Sequence, residues 1–416
     1  MNDASAKTSD PTLDQIEPRF PVIDADGHVF EPFEMWQERL PAEFVDRAWK
    51  RERRPDGTEA VLFYGHPTSM EWTVGTLCTP GGLAEGGRVD IDLDTEVDRG
   101  VDDPVRRLEL MDAQGIAVSV LFPTMTLGLD DIPDEEFRRA YARAYNEWIA
   151  EFCQADPMRL RWGAVIPTGD VEWALIEATR CIEAGATTVM LSPIPTPAPE
   201  HRTLGDPVLD PFWKLLTDRG VPAVIHASNP GSPSLRISKL LASRTQWQMG
   251  VPFQLQLGVM YLIDGGVLER HRALRVGFFE GDVGWLPHWL GRLTQTYDKM
   301  ALVSRVPERS PVQQFRDQCV ISGEPADAGI AATAALVGAA NVLWASDWPH
   351  QDGAWPDPKE ILRDRTDLSE FDKASMFTHG SAEFYRIDVE ALMSHLGETW
   401  SLDAAVSSVG PMLDVG

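Results

Sequence analysis

The sequence predicts an α/β chain folded as a (β/α)8 TIM barrel with a long insertion after the first strand. Three observations carry that prediction. Eight short apolar runs recur along the 416 residues, each bounded by turn residues. Segments of helical spacing separate most of them, which makes a parallel sheet the natural arrangement. Ionisable residues follow directly on several of the runs, at the end where such a barrel gathers its functional groups.

The first run, VIDADGH (22–28), carries Asp24, Asp26 and His28 on alternate positions. An extended strand sends residues two apart to the same face, so all three are expected to point together and to suit a cation. Residues 1–20 are polar and read as a loose arm, and 32–114 as an irregular insertion, such as a lid. Within it FEMWQERLP suggests a helix, VLFYGH a short strand and CTPGGLAEGGRVD a glycine-rich loop. GGLAEGGR (81–88) resembles a phosphate loop only in composition, because it lacks GxGxxG or GKS spacing.

The remaining runs are GIAVSVLFP (115–123), LRWGAVIP (160–167), TTVMLSP (187–193), VPAVIHAS (221–228), LRVGFFEGD (274–282), CVISGEP (319–325) and ANVLWASDWPH (340–350). Between them EEFRRAYARAYNEWIAEFC and VEWALIEATRCIEAG have helical periodicity, and AGIAATAALVGAA (328–340) reads as a buried helix leading into the last strand. The barrel is expected to occupy 21–390, with 391–416 as a C-terminal extension.

Composition narrows the function. With 64 acidic against 37 basic residues, the net charge of -27 repels phosphate backbones and anionic lipid heads. Nucleic acid and membrane surfaces are therefore not expected partners; a small molecule is. The four cysteines, Cys78, Cys153, Cys181 and Cys319, form no close pair, which speaks against a zinc ribbon or disulfide scaffold. A reducing cytoplasm is the simplest compartment. No apolar leader and no run of about 18 apolar residues is present.

In a parallel barrel the strand ends open on one face, so Asp26 and His28 after the first run, His226 after the fifth, Glu280 after the sixth and Asp347 after the eighth converge. Burying such groups is costly unless they are paired or bind metal, so a divalent ion, one or two, is expected there. Three carboxylates and two imidazoles make a hard donor set that suits manganese or iron at least as well as zinc. Glu31, His288, Glu324 and His350 are candidates for substrate contact or for supporting the ligands. Glu31 could hydrogen-bond His28. Glu324 and Asp327 could touch substrate or cap the Ala-rich helix that follows.

These residues resemble the amidohydrolase superfamily, in particular the branch of aminocarboxymuconate semialdehyde decarboxylase and resorcylate decarboxylase. The resemblance runs from about Val22 to Tyr385 and rests on DADGHVFEP, GDPVLDPFWKLLTDRGVPAVIH, FFEGDVGWLPHWLGRL and VLWASDWPH. It implies that Asp26 and His28 stand in the place of the family's HxH pair, that His226 is the strand-five metal histidine, and that Asp347 is a ligand and proton shuttle. Relatives are often dimers, so a homodimer is within the range the resemblance implies. Three departures matter: Asp26 replaces the first histidine, Glu280 stands where many relatives have a histidine, and VMLSP offers no lysine to bridge two metals.

Two chemistries fit one site. A metal-dependent hydrolase or non-oxidative decarboxylase would use Asp347 and Glu280 as its acid–base groups on a small carboxylate- or carbonyl-bearing substrate. A non-haem iron or di-iron oxygenase would use the extra carboxylates for iron and hydroxylate a bulky apolar substrate in a pocket lined by tryptophans such as Trp36, Trp72, Trp285, Trp344, Trp348 and Trp355. A binding protein that kept the barrel without activity is a third reading.

Overall fold

The computed structural model describes residues 21–53, 59–63, 66–67, 74–79, 91–194, 202–228, 244–301, 306–351, 353 and 358–397. Eight strands form one parallel sheet in the order β1 (Val22–His28), β5 (Ile116–Phe122), β6 (Leu160–Val165), β7 (Thr188–Leu191), β8 (Ala223–His226), β9 (Val276–Phe279), β10 (Cys319–Gly323) and β11 (Val342–Trp344). Every expected apolar run contains one of them. Helices flank the sheet, giving the (β/α)8 TIM barrel. The strands are shorter than the apolar runs because their last residues leave the ladder as strand-end loops, and those loops carry Glu280 and Asp347.

The crossover helices follow from local chemistry. Asp134 begins Glu135–Phe152 by accepting from the N–H groups of Glu136 and Phe137, and Asp170 does the same for Val171–Glu183 through Glu172 and Trp173. Asp103 and Pro104 start Pro104–Gln114, and Gly115 ends it at φ 63°, a left-handed conformation that glycine adopts without strain. This helix lies inside the stretch read as an insertion but leads straight into β5. The insertion itself holds helix Phe33–Arg39 and a small antiparallel sheet of β2 (Lys50–Arg53), β3 (Glu59–Phe63) and β4 (His66–Pro67). Its core is a separate cluster of Phe30, Val61, Cys78, Ile91, Val97, Met125 and Trp348, laid beside the rim of the barrel. The GGLAEGGR loop lies outside the described residues. No helix among the described residues is long and apolar enough to cross a membrane.

Inside the barrel Phe122 and Phe279 meet edge-on with centroids 6.0 Å apart, and Phe122 forms a floor against His226 with centroids 5.4 Å apart. Gly163 makes room for this floor, since a Cβ there would stand 2.5 Å from the Phe122 ring.

An ion-pair cluster centred on the buried carboxylate of Glu177 ties the helices to β6. Glu177 accepts from Arg143 at 2.7 Å and from Asn146 at 3.2 Å, and Asn146 in turn bonds the backbone of Val165 on both sides. Burial by itself would raise the Glu177 carboxyl, but Arg180, Arg143 and Asn146 hold it down to about 2. A depressed carboxyl contributes stability above its unfolded value near 4.5, and that contribution fades as pH falls toward 2. Glu177→Gln is therefore expected to cost about 2 kcal/mol at neutral pH, the scale of hydrogen bonds to a charged group, and to flatten the loss of stability in that acid window, read from urea midpoints against pH.

Candidate metal centre

The ends of β1, β8 and β9 and the turn after β11 bring five ionisable side chains together. His28 and His226 are fully buried, and Asp26 is 2% exposed. The Nδ1 of His28 lies 2.8 Å from the Pro123 carbonyl, which fixes the proton there and turns Nε2 inward as a lone pair. That Nε2 is buried without a hydrogen-bond partner among the described residues. It faces Asp347 Oδ1 at 3.3 Å, Asp26 Oδ1 at 3.5 Å and Glu280 Oε2 at 4.0 Å. His226 is held in the same way: Nδ1 lies 2.7 Å from the Ala227 carbonyl and Nε2 3.2 Å from Asp26 Oδ1.

Donor atoms about 2.1 Å from a shared ion stand about 3 Å apart at right angles. An orphaned buried lone pair ringed by carboxylate oxygens at slightly longer separations fits a divalent cation. Two overlapping sets meet at His28: Asp26, His28 and His226 on one side, and His28, Glu280, Asp347 and His350 on the other. Burial pushes the Asp26 carboxyl up, but His226 and His28 hold it well below the carboxylate range. Burial and the neighbouring His350 lower the His28 imidazole, which favours the neutral, ligating form.

Backbone geometry marks the same place. Glu280, Asp282 and Asp347 have φ of 60°, 54° and 53°, left-handed values that cost energy for residues with a Cβ. Such strain persists only where surrounding bonds impose it. The Asp347 N–H donates to the Asp26 carbonyl at 3.0 Å, and the Glu280 N–H donates to Ser322 Oγ at 3.2 Å. Ser322 Oγ donates on to Asp26 Oδ2 at 3.3 Å.

The other expected residues divide. His350 lies 2.7 Å from Asp347 Oδ1 through Nδ1 and rests tilted against His28 with centroids 3.9 Å apart. Its Nε2 is 3.1 Å from Thr124 Oγ1; that hydroxyl donates its one proton to the Val29 carbonyl, so it accepts from Nε2–H. Glu324 lines a cavity of about 460 Å³ that opens above the centre, together with Asp26, Glu280, Ser322, Asp347 and Met249. His288 is exposed on the helix Leu286–Met300 and belongs to neither donor set. Glu31 does not reach His28: its carboxylate accepts from the N–H groups of Thr124, Met125 and Thr126 and from Thr126 Oγ1, and so shapes the loop that carries Thr124. Asp327 accepts from the N–H groups of Val283, Gly284 and Gly329, tying two strand-end loops together.

Two further expectations are corrected. Asp24 does not join Asp26 and His28, because the register of β1 against β5 shifts between Asp24 and Gly27 and breaks the simple alternation. Among the described residues the tryptophans do not gather at the centre: Trp36 and Trp344 are in the main core, Trp348 belongs to the insertion cluster, and Trp285 is packed against the main core. No tryptophan is among the described residues lining the cavity; Trp72 and Trp355 lie outside the described residues. Reading the sequence missed, among others, Thr124, Ser322 and Ser346. Their one signal is a hydroxyl at the very end of an apolar run, where a buried oxygen must find a partner.

Comparison with known proteins agrees with this architecture. The chain is 24% identical over 261 residues to gamma-resorcylate decarboxylase of Polaromonas sp., covering 59% of this chain and 77% of that one. Its fold matches the crystal structure of an amidohydrolase from Mycobacterium avium subsp. paratuberculosis with a TM-score of 0.74 at 22% identity, over 88% of this chain and 98% of the other. A dihydroxybenzoic acid decarboxylase from Polaromonas sp., solved with manganese and the inhibitor 2-nitroresorcinol, matches with a TM-score of 0.64 at 18% identity, over 90% and 99% of the two chains. The family model described as amidohydrolase matches residues 23–387, and with the barrel and its strand-end residues in place, the chain belongs to the amidohydrolase family.

Proposed function

We propose that the chain is a metal-dependent, non-oxidative decarboxylase of a small aromatic carboxylate. The observation that carries this reading is the inward-facing Nε2 of His28, without a hydrogen-bond partner among the described residues, ringed by three carboxylates at the base of the cavity. The relatives reported above include two decarboxylases and no oxygenase. Asp26, His28 and His226 would hold the ion, with Glu280 and Asp347 completing the set. When bound, a divalent ion orients the substrate carboxylate with its neighbouring oxygen and offsets negative charge.

The chain's own groups account for the rest. The Pro123 and Ala227 carbonyls keep both imidazoles in one tautomer, so the pocket binds without reorganising. Asp347, backed by His350, delivers a proton to the ring carbon that bears the carboxylate. The ring–carboxylate bond then breaks, its electron pair restores the aromatic ring, and CO2 leaves. Solvent returns the proton through His350, so one proton is consumed per CO2 released. Glu324 lies on the wall, where it would contact the ring substituents.

The test is a panel of hydroxybenzoates incubated under nitrogen in D2O with Mn2+, followed by CO2 release and by NMR of the ring. CO2 with deuterium at the vacated carbon supports the reading. Cleavage of esters or amides without CO2 would move the assignment to hydrolysis, and turnover only with O2 and a reductant to oxygenation.

A further inference from the structure

The barrel sheet has two ends, β1 and β11, and no ladder joins them among the described residues. The seam is closed by a few individual bonds. His28 N–H donates to the Trp348 carbonyl at 2.7 Å and Asp347 N–H to the Asp26 carbonyl at 3.0 Å. Directly outside them lies the buried carboxylate of Asp24, 1% exposed. Its Oδ1 accepts from the Ser346 N–H at 2.9 Å, and its Oδ2 accepts from Ser346 Oγ at 2.8 Å and Ser119 Oγ at 2.9 Å. Ser346 Oγ in turn accepts from the Trp348 N–H at 3.1 Å. Three successive N–H groups, those of Ser346, Asp347 and Trp348, are therefore fixed on both sides of the left-handed Asp347.

The counter-ion is Arg107, 3% exposed and lying 4.3 Å over the Trp348 ring. It donates to the His28 carbonyl at 2.8 Å and to Ser119 Oγ at 3.3 Å. Gly27 leaves the space this pair occupies, since a Cβ there would stand 2.5 Å from Ser119 Oγ, 2.6 Å from Asp24 Oδ2 and 2.9 Å from Arg107 Nη2. The two opposite charges meet through Ser119 Oγ, which accepts from Arg107 and donates to Asp24, and removing either residue leaves the other charge buried without its counter-charge. Neither residue touches the cavity.

We infer that Asp24 and Arg107 are positioning residues for the metal centre: across the barrel seam they hold His28 and Asp347 at ligating separation and keep Asp347 in its strained conformation. This rests on the metal-dependent reading above. Loosening the Asp24 bonds lets 345–348 relax away from β1, carrying Asp347 off His28 while both side chains stay intact.

The test uses the full chain stripped of metal and titrated calorimetrically with Mn2+ alone, so that no substrate is assumed. Asp24→Ala is expected to weaken Mn2+ binding about 10–100-fold, the range for groups that orient ligands. Asp24→Asn, which still accepts from the Ser346 N–H, recovers most of that loss. A destabilised but correctly placed site would instead lower the unfolding midpoint in both variants and leave the Mn2+ affinity unchanged. A folded Asp24→Ala protein binding Mn2+ within about threefold of wild type overturns the inference. Should Asp24→Ala fail to fold, Ser346→Ala, which removes only the acceptor of the Trp348 N–H and one donor to Asp24, decides: weaker Mn2+ binding supports it and wild-type affinity overturns it. If the wild type itself binds no Mn2+, both this inference and the reading it rests on fall.

Discussion

Asp347→Asn is expected to lower kcat by about 10³-fold or more while the protein keeps its circular dichroism and its cavity. The substitution is nearly isosteric, so the Asp26 carbonyl can still accept from the residue 347 N–H. What disappears is a carboxyl that can pass a proton. His350, 2.7 Å away, then faces an amide that cannot exchange one with it. Steady-state kinetics with ring-deuteration NMR reads the result. Turnover within about tenfold of wild type would remove Asp347 from the proton path.

His28→Ala acts one step earlier. It deletes the donor at which both ligand sets overlap, and it leaves Asp26, Asp347 and Glu280 without the imidazole between them. Mn2+ affinity is expected to fall by more than about 100-fold, beyond the effect of removing a group that merely orients a ligand. His226→Ala should behave alike, because its Nε2 approaches the same Asp26 oxygen. Calorimetric titration of the apo proteins measures both. Undiminished binding in either variant would show that the ion sits elsewhere.

The barrel was legible because its signal is coarse: eight apolar runs separated by helical spacing specify parallel strands whatever the details of their ends. The convergence of Asp26, His28, His226, Glu280 and Asp347 was legible for the same reason, since a strand end in such a barrel has a fixed address. Asp24 was not. Strand alternation assumes an unbroken pleat, and a register shift of a kind no local residue pattern announces turned its carboxylate to the outside of the barrel. Glu31 misled similarly: its proximity to His28 in sequence suggested contact, whereas its four hydrogen bonds go to 124–126, a loop brought in by the neighbouring strand. His350 lay one cis peptide and three residues beyond Asp347, and only the turn reveals that it folds back onto that carboxylate. The small hydroxyls, Thr124, Ser322 and Ser346, carry no distinctive pattern because their role depends entirely on what faces them.

Decarboxylation by this chain requires that the centre hold a divalent ion. The most direct measurement is elemental analysis of the full chain purified without chelator or added metal, followed by stripping and add-back with CO2 release as the readout. About one divalent ion per chain is expected, with turnover lost on stripping and restored by Mn2+. Protein that binds no ion after each is added back, or that releases CO2 at full rate when stripped, would contradict it.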